Sequence, residues 1–293
     1  MLAVPVPAET LASALDGHGD YRVLRRLDVM RRRGVGAPSA GSLIGCAIDV
    51  ETTGLDSESD VIIELAVQRF WADRRGRIES TGRPRSWLED PKRQLSSEIS
   101  RLTGLSDADL AGRTISDGEA SAMIADADFV VAHNARFDRP FVEKRLPLAA
   151  GRPWVCSLRD VDWRGLGFEG RTLGHLLMQS GWFYDAHRAS TDVTALLHLL
   201  DHRLEGGETV LRRAVVAASR PGFVFEAVGA PFAAKTLLKT RGYGWEPAVK
   251  LWSREVPAED FDDEMRWLTI EVYGGLSKPR VRKISWTERY AAG

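Results

Sequence analysis

Only two cysteines, Cys46 and Cys156, occur in 293 residues. They are too few to staple a chain of this length and have no C-x-x-C or zinc-ligand spacing, which excludes a disulfide scaffold and a cysteine-based zinc site. They read as reduced, buried thiols. No run approaches the roughly 18 apolar residues that a membrane span needs. The first ten residues carry Pro5, Pro7 and Glu9 where a secretory leader has a basic start and an apolar stretch. The expectation is a cytoplasmic protein without membrane contact. An excess of charge is lacking too: 40 Lys+Arg stand against 41 Asp+Glu. Bulk basicity therefore cannot draw a polyanion, and a nucleic-acid partner must be met by a local patch or by bound cations. With 44% hydrophobic and 28% charged residues, the chain can bury one large core or two smaller ones, which excludes disorder over its whole length.

The pattern of the chain divides it into three. Residues 8–33 read as an amphipathic helical arm, with Leu11, Leu15, Val23, Leu24, Leu27 and Met30 near helical spacing and Arg31, Arg32 and Arg33 behind them. A Gly/Pro/Ser linker follows, so residues 1–42 form an arm and linker. Apolar runs at 43–50, 61–70 and 129–132 read as buried strands interleaved with helices. A leucine-faced helix from Ser190 or Thr191, carrying Val193, Leu196, Leu197, Leu200 and Leu204, is expected to stop at Gly206-Gly207. Residues 43–205 are thus expected to be an α/β domain, a mixed central sheet flanked by helices. Residues 206–293 are expected to be a connecting helix and a small C-terminal domain rich in tryptophan (Trp245, Trp252, Trp267 and Trp286).

The acidic residues carry the chemistry. Asp-x-Glu is a weak motif: 22 Asp and 19 Glu in 293 positions give about 1.4 chance occurrences. Four occur, and Asp56/Glu58, Asp117/Glu119 and Asp262/Glu264 read as solvated surface charge. Asp49/Glu51 instead closes an apolar strand, putting two carboxylates on one face at the strand's carboxyl end, where open α/β sheets bind ligands. Such a pair repels itself unless a cation intervenes, and hard oxygen donors suit Mg²⁺ or Mn²⁺. A second cluster, His133-Asn134-Ala135-Arg136-Phe137-Asp138, follows the third strand, and a third, His187 to Asp192, opens the leucine-faced helix. Each Asp alone could merely complement a helix dipole. Together, four carboxylates can hold two divalent ions for in-line phosphoryl displacement, and a histidine can deprotonate water. On spacing alone, His133 and His187 compete for that role.

In this order and spacing the residues resemble the DEDDh family of 3'-to-5' exonucleases, which includes the epsilon proofreading subunit of bacterial DNA polymerase III. Asp49-Val50-Glu51-Thr52-Thr53-Gly54-Leu55 resembles the first motif, Asn134, Phe137 and Asp138 the second, and His187 with Asp192 the third. Arg101-Leu102-Thr103-Gly104-Leu105 also looks like a family element, and its local physics is a helix ending at Gly104. The resemblance implies a ribonuclease H-like fold and two Mg²⁺ or Mn²⁺ ions held by Asp49, Glu51, Asp138 and Asp192. It implies His187 as the base, leaving His133 structural. Thr52, Thr53, Gly54, Leu55, Asn134 and Phe137 are implied to meet the terminal nucleotide. The partners implied are single-stranded 3' ends of DNA or RNA, or the mononucleotide product. Where many relatives place Asp-Thr after the strand near Val155, this chain has Cys156-Ser157. The C-terminal region does not resemble a polymerase-binding tail. Its basic run Lys278-Pro279-Arg280-Val281-Arg282-Lys283 and its tryptophans point to a nucleic-acid or protein partner. An alternative is a catalytically weak binding or scaffolding protein whose C-terminal domain carries the main role; the presence of all five site residues argues against it.

Overall fold

The computed structural model describes residues 6–28, 38–186, 188–247 and 249–291. The chain forms two compact units, Met1–Ala214 with Tyr290–Gly293, and Val215–Arg289.

The first unit opens with α1 (Ala8–Asp16) and the two-residue strand β1 (Arg25–Arg26). The helix expected over 8–33 therefore ends seventeen residues early. Gly17 and Gly19 fall where it would continue, and the backbone of Arg25 and Arg26 pairs instead with Trp182 and Phe183. Met30 to Arg33 lie outside the described residues. The main sheet is built from β2 (Leu43–Thr52), β3 (Ile62–Ala72), β4 (Ile78–Thr81) and β5 (Arg85–Leu88). The chain then passes through α2 (Ser97–Thr103), α3 (Asp107–Leu110) and α4 (Asp117–Ala125) before β6 (Phe129–Ala132), α5 (Ala135–Arg145) and β7 (Trp154–Cys156). Helix α2 ends on Gly104, whose left-handed conformation (φ 70°) makes the expected cap. After α6 (Leu173–Gln179) and β8 (Trp182–Phe183) comes α7 (Ala189–Leu200). The strand order is β4-β3-β2-β6-β7, with β5 also on β3. Strand β2 runs antiparallel to β3 and parallel to β6, which makes the sheet mixed.

Alternation along β2 sorts its side chains between two layers. Cys46, Ile48 and Val50 point into a core with Leu65, Val67, Ile124, Val130, Phe141 and Trp154. Ala47, Asp49 and Glu51 take the other face, toward α7, where the buried Thr194 hydroxyl donates to Gln68 Oε1 at 2.9 Å. Helix α7 stops at Leu200, short of Gly206-Gly207. Those two glycines, both at positive φ, turn the chain between Arg203 and Thr209, which form a bridge. Leu204 keeps the helical spacing without belonging to the helix. Both thiols are free and buried, and burial raises Cys46 to about 12 and Cys156 to about 11.

Helix α8 (Val210–Ser219) leads into the second unit, whose strands are β9 (Gly222–Glu226), β10 (Gly244–Glu246), β11 (Leu251–Pro257) and β12 (Arg280–Ile284), with α9 (Lys235–Arg241) and α10 (Phe261–Trp267). They form an antiparallel sheet of order β10-β11-β9-β12. Phe225, Leu238, Tyr243, Val256 and Leu268 make its core, with Trp252 and Trp267 packed against it. One expectation is corrected here. Glu264 is not surface charge but 1% exposed, and it accepts from the Tyr243 hydroxyl at 2.8 Å, Arg254 at 2.8 Å and Arg241 at 3.1 Å. A buried carboxylate is tolerable only with such partners. In the basic run, Arg280 and Arg282 both pair with Glu226. Among the described residues, no helix is long and apolar enough to cross a membrane.

Candidate metal centre

Asp49 and Glu51 are two residues apart on β2 and therefore share the face toward α7. Asp192, in the first turn of α7, reaches them, and one ligand oxygen from each of the three lies within 4.8 Å of the others. Asp138 arrives from the other layer. Strand β6 pairs with β2 only as far as Ala47, so the edge of β2 beyond it lacks a backbone partner on that side. The Asp138 carboxylate fills the gap, with Oδ1 accepting the Val50 N–H at 3.3 Å, and the residue is 4% exposed.

The electrostatics are those of a site that strains against its own charge. Burial, then the charges of Asp138, Asp192, Glu51 and Glu64, hold the Asp49 carboxyl well above the usual carboxylate range. Burial followed by Asp192 and Glu64 raises Glu51 to about 7, against the lowering pull of Arg188. Burial raises Asp138 to about 8, opposed by the Val50 N–H. A divalent cation relieves this repulsion, and the all-oxygen donor set is what Mg²⁺ or Mn²⁺ prefers. The residues fit such an ion.

The loop after β2 is stiff. Thr52 Oγ1 donates to Gly54 O, while Thr53 Oγ1 donates to Asp60 Oδ1 at 2.9 Å and accepts from Val61 N at 3.1 Å. Arg93 braces the same Asp60 at 2.6 Å. A Cβ on Gly54 would lie 2.3 Å from Asp60 Oδ2, so any side chain there must displace the Asp60 carboxylate from its brace. The brace leaves Leu55 87% exposed at the tip. Asn134 is the residue before α5, and Phe137, one turn in, packs against Phe141 with ring centroids 5.0 Å apart. His187 lies outside the described residues. The rival His133 is spoken for: Nε2 donates to Arg171 O at 2.8 Å, so Nδ1 accepts from the buried Ser157 hydroxyl, also at 2.8 Å. Burial lowers its pKa, and the ring is a neutral clamp.

Three residues at the site escaped the sequence reading. The Tyr184 hydroxyl donates to Asp192 Oδ1 at 2.6 Å, and the Arg188 backbone N–H to Oδ2 at 3.1 Å. Glu64 stands on β3 directly opposite Glu51. Its only sequence signal is a single acid inside the apolar run 62–67.

A mixed sheet that gathers carboxylates from a strand end and from helices of both layers defines a nuclease of ribonuclease H-like fold. Residues 46–200 match the model of the RNase_T exonuclease family, and the chain belongs to that family. It is 30% identical over 165 residues to the DNA polymerase III subunit epsilon of Treponema pallidum, a match covering 52% of this chain and 73% of that protein. It is 31% identical over 119 residues to the DNA polymerase III PolC-type of Thermotoga maritima, covering 40% of this chain and 8% of that much longer protein. Among solved structures it resembles Exonuclease X in complex with 5' overhanging duplex DNA, at a TM-score of 0.43 and 22% identity, covering 59% of this chain and 99% of that one. It also resembles E. coli Exonuclease I in complex with a dA16 oligonucleotide, at a TM-score of 0.48 and 15% identity, covering 84% and 64%.

Proposed function

We propose that this exonuclease removes nucleotides from the 3' end of DNA or short RNA, with two Mg²⁺ or Mn²⁺ ions held by Asp49, Glu51, Asp138 and Asp192 and with His187 as general base. The observation that carries the reading is the meeting of ligand oxygens from Asp49, Glu51 and Asp192 within 4.8 Å, although the last is over 140 positions from the first. The similarity to a polymerase III epsilon subunit supports action on DNA ends.

In this reading Asp49, Glu51, Asp138 and Asp192 would hold the ions, which when bound would supply charge stabilisation to the attacking and leaving oxygens of the phosphodiester. The chain's own residues do the rest. Asp49 and Glu51 are presented by a strand buried in the sheet, Asp138 is fixed by the Val50 N–H, and Asp192 is fixed at both oxygens. None of these four must search for its position, which is how positioning lowers a barrier. His187 takes the proton of the attacking water. Leu55, held out by the Asp60 brace, offers an apolar side chain for the terminal base. Thr52, Thr53, Gly54, Asn134 and Phe137 shape the pocket for its nucleotide. The second unit carries no chemistry in this reading and serves a nucleic-acid or protein partner. Phe232, 87% exposed, and Trp245, 46% exposed and 5.4 Å from Trp252 between ring centroids, offer it aromatic surface.

The test is an oligonucleotide panel, DNA and RNA, labelled at either end and incubated with Mg²⁺, Mn²⁺ or chelator. A 3' label should leave at once as mononucleotide while a 5'-labelled strand shortens stepwise, and chelator should stop both. First release of a 5'-labelled mononucleotide would overturn the polarity.

A further inference from the structure

We infer that Glu64 is a positioning residue of the metal centre: it anchors Arg188 to the sheet and thereby sets the orientation of Asp192. The inference rests on the metal-dependent reading above and adds a residue outside the carboxylate set.

Glu64 has a side chain with no exposed surface, in the middle of the sheet on β3. The register places it opposite Glu51, on the face toward α7. An acid so placed without partners would be expelled from the fold or held protonated. Instead each oxygen is occupied. Oε1 accepts from the Ser86 hydroxyl at 2.7 Å, and Oε2 accepts from Arg188 Nε at 3.3 Å. Both oxygens are thus taken by protein donors. Glu64 also lies outside the trio of Asp49, Glu51 and Asp192 whose ligand oxygens converge, as does Asp138 in the other layer. This separates it from Asp49 and Glu51, which face the same space.

What Glu64 holds matters more than what it touches. Arg188 is the residue that caps the start of α7, and its own backbone N–H binds Asp192 Oδ2. The path therefore runs from the sheet through the Glu64 carboxylate and the Arg188 side chain to its backbone and then to the ligand. Six residues further along α7, Thr194 is tied to β3 by its bond to Gln68. Glu64 and Gln68 point the same way, four positions apart on one strand. The helix start is thus fixed to the sheet at two points, and the first of them sits beside the site. Tyr184 closes the arrangement from the other oxygen of Asp192. Removing the anchor frees the half-exposed Arg188 side chain and leaves its backbone held to its own helix alone, through the carbonyl that accepts from the Thr191 and Asp192 N–H groups, with no tie to the sheet at that point. Outer-shell partners that orient a metal ligand act in this way.

Manganese binding, titrated calorimetrically on the full chain with thermal unfolding run in parallel, tests the inference. Glu64→Gln keeps both bonds, because the amide oxygen accepts from Arg188 and the amide NH2 donates to Ser86. It should hold Mn²⁺ within about threefold of the wild type, whereas Glu64→Ala should weaken it about 10- to 100-fold with the number of ions unchanged. If Glu64→Ala does not fold, the Glu64→Gln/Arg188→Met double variant removes the anchor without stranding a buried charge, and the same weakening is expected. Unchanged affinity in Glu64→Ala, or in the double variant, overturns the inference. So does loss of a bound ion in Glu64→Gln, as expected for Asp49→Asn, because Glu64 would then be a ligand. A wild type that binds no Mn²⁺ at all overturns the metal-dependent reading itself, and the inference falls with it.

Discussion

Replacing Glu51 by Gln should stabilise the metal-free protein, and by an amount that depends on pH in a definite direction. Burial beside Asp192 and Glu64 raises the Glu51 carboxyl from 4.5 to about 7. The folded state therefore holds this proton more tightly than the unfolded chain does. A raised carboxylate favours folding fully below the unfolded value near 4.5, and that contribution is lost as pH rises through 7. At 1.36 kcal/mol per pKa unit, the ionised side chain costs the metal-free fold about 3 kcal/mol at pH 9. Glutamine has the same shape and nothing to ionise. The variant should match the wild type near pH 4.5 and exceed it at pH 9 by about 6 to 12 °C in the unfolding midpoint, taking about 2 to 4 °C per kcal/mol for a unit of this size.

Thermal unfolding followed by circular dichroism, in chelator and at intervals from pH 5 to 9, measures this. The wild-type midpoint should fall through that window, with Asp138, raised to about 8, extending the fall in the same direction, while the Glu51→Gln curve is flatter. Mn²⁺ at 1,000 times its Kd should reverse the order, since it adds about 4.1 kcal/mol to the state that binds it and the variant has lost a ligand. Parallel curves at every pH, or a variant less stable than the wild type at pH 9 in chelator, would refute the view that these carboxylates repel one another when no cation is bound.

Other outcomes follow from the same geometry. Asp49→Ala and Asp192→Ala should abolish hydrolysis in oligonucleotide assays while the proteins stay folded by circular dichroism. His187→Ala should lower turnover about 10²- to 10⁴-fold. His133→Ala should leave turnover near the wild type and lower stability by about 1 to 3 kcal/mol by stranding the buried Ser157 hydroxyl; because the pKa of His133 is lowered, its contribution is present above about pH 6.5 and lost as pH falls. Gly54→Ala drives a methyl into the Asp60 carboxylate and should raise KM for oligonucleotides with little change in unfolding midpoint. Glu264→Ala leaves Arg241, Arg254 and Tyr243 without their shared acceptor, and should destabilise the second unit by about 3 to 5 kcal/mol while hydrolysis of short oligonucleotides continues.

How much of the fold could be read in advance depended on how deeply each segment is buried. Strands β2, β3 and β6 are covered on both faces, so their apolar runs are nearly unbroken and stand out from the chain. Strands β4 and β5 are four residues each at the margin of the sheet, and Ile-Glu-Ser-Thr and Arg-Ser-Trp-Leu carry no run to detect. The N-terminal arm misled in the opposite sense. Val23, Leu24 and Leu27 keep near-helical spacing, but spacing records only which residues could share a face, not whether the backbone between them tolerates a helix past Gly17 and Gly19. Leu204 misled in the same way beyond the true end of α7.

The site was legible for a different reason. Asp49, Glu51, Asp138 and Asp192 each adjoin a strand end or a helix start, so their neighbours in sequence announce where they will sit. Glu64 has no such announcement. Its partners are Ser86, 22 positions on, and Arg188, 124 positions on, and its place beside Glu51 comes from the antiparallel register of β2 and β3. Tyr184 likewise acquires its meaning only when the loop before α7 folds back on Asp192. Residues that would hold an ion are therefore marked along the chain, whereas residues that hold those residues are marked across it. Asp192 shows why both are needed: its place at a helix start is written locally, but the two bonds that fix its oxygens, and the carboxylate that anchors one of the donors, exist only once the strand pairing has been made.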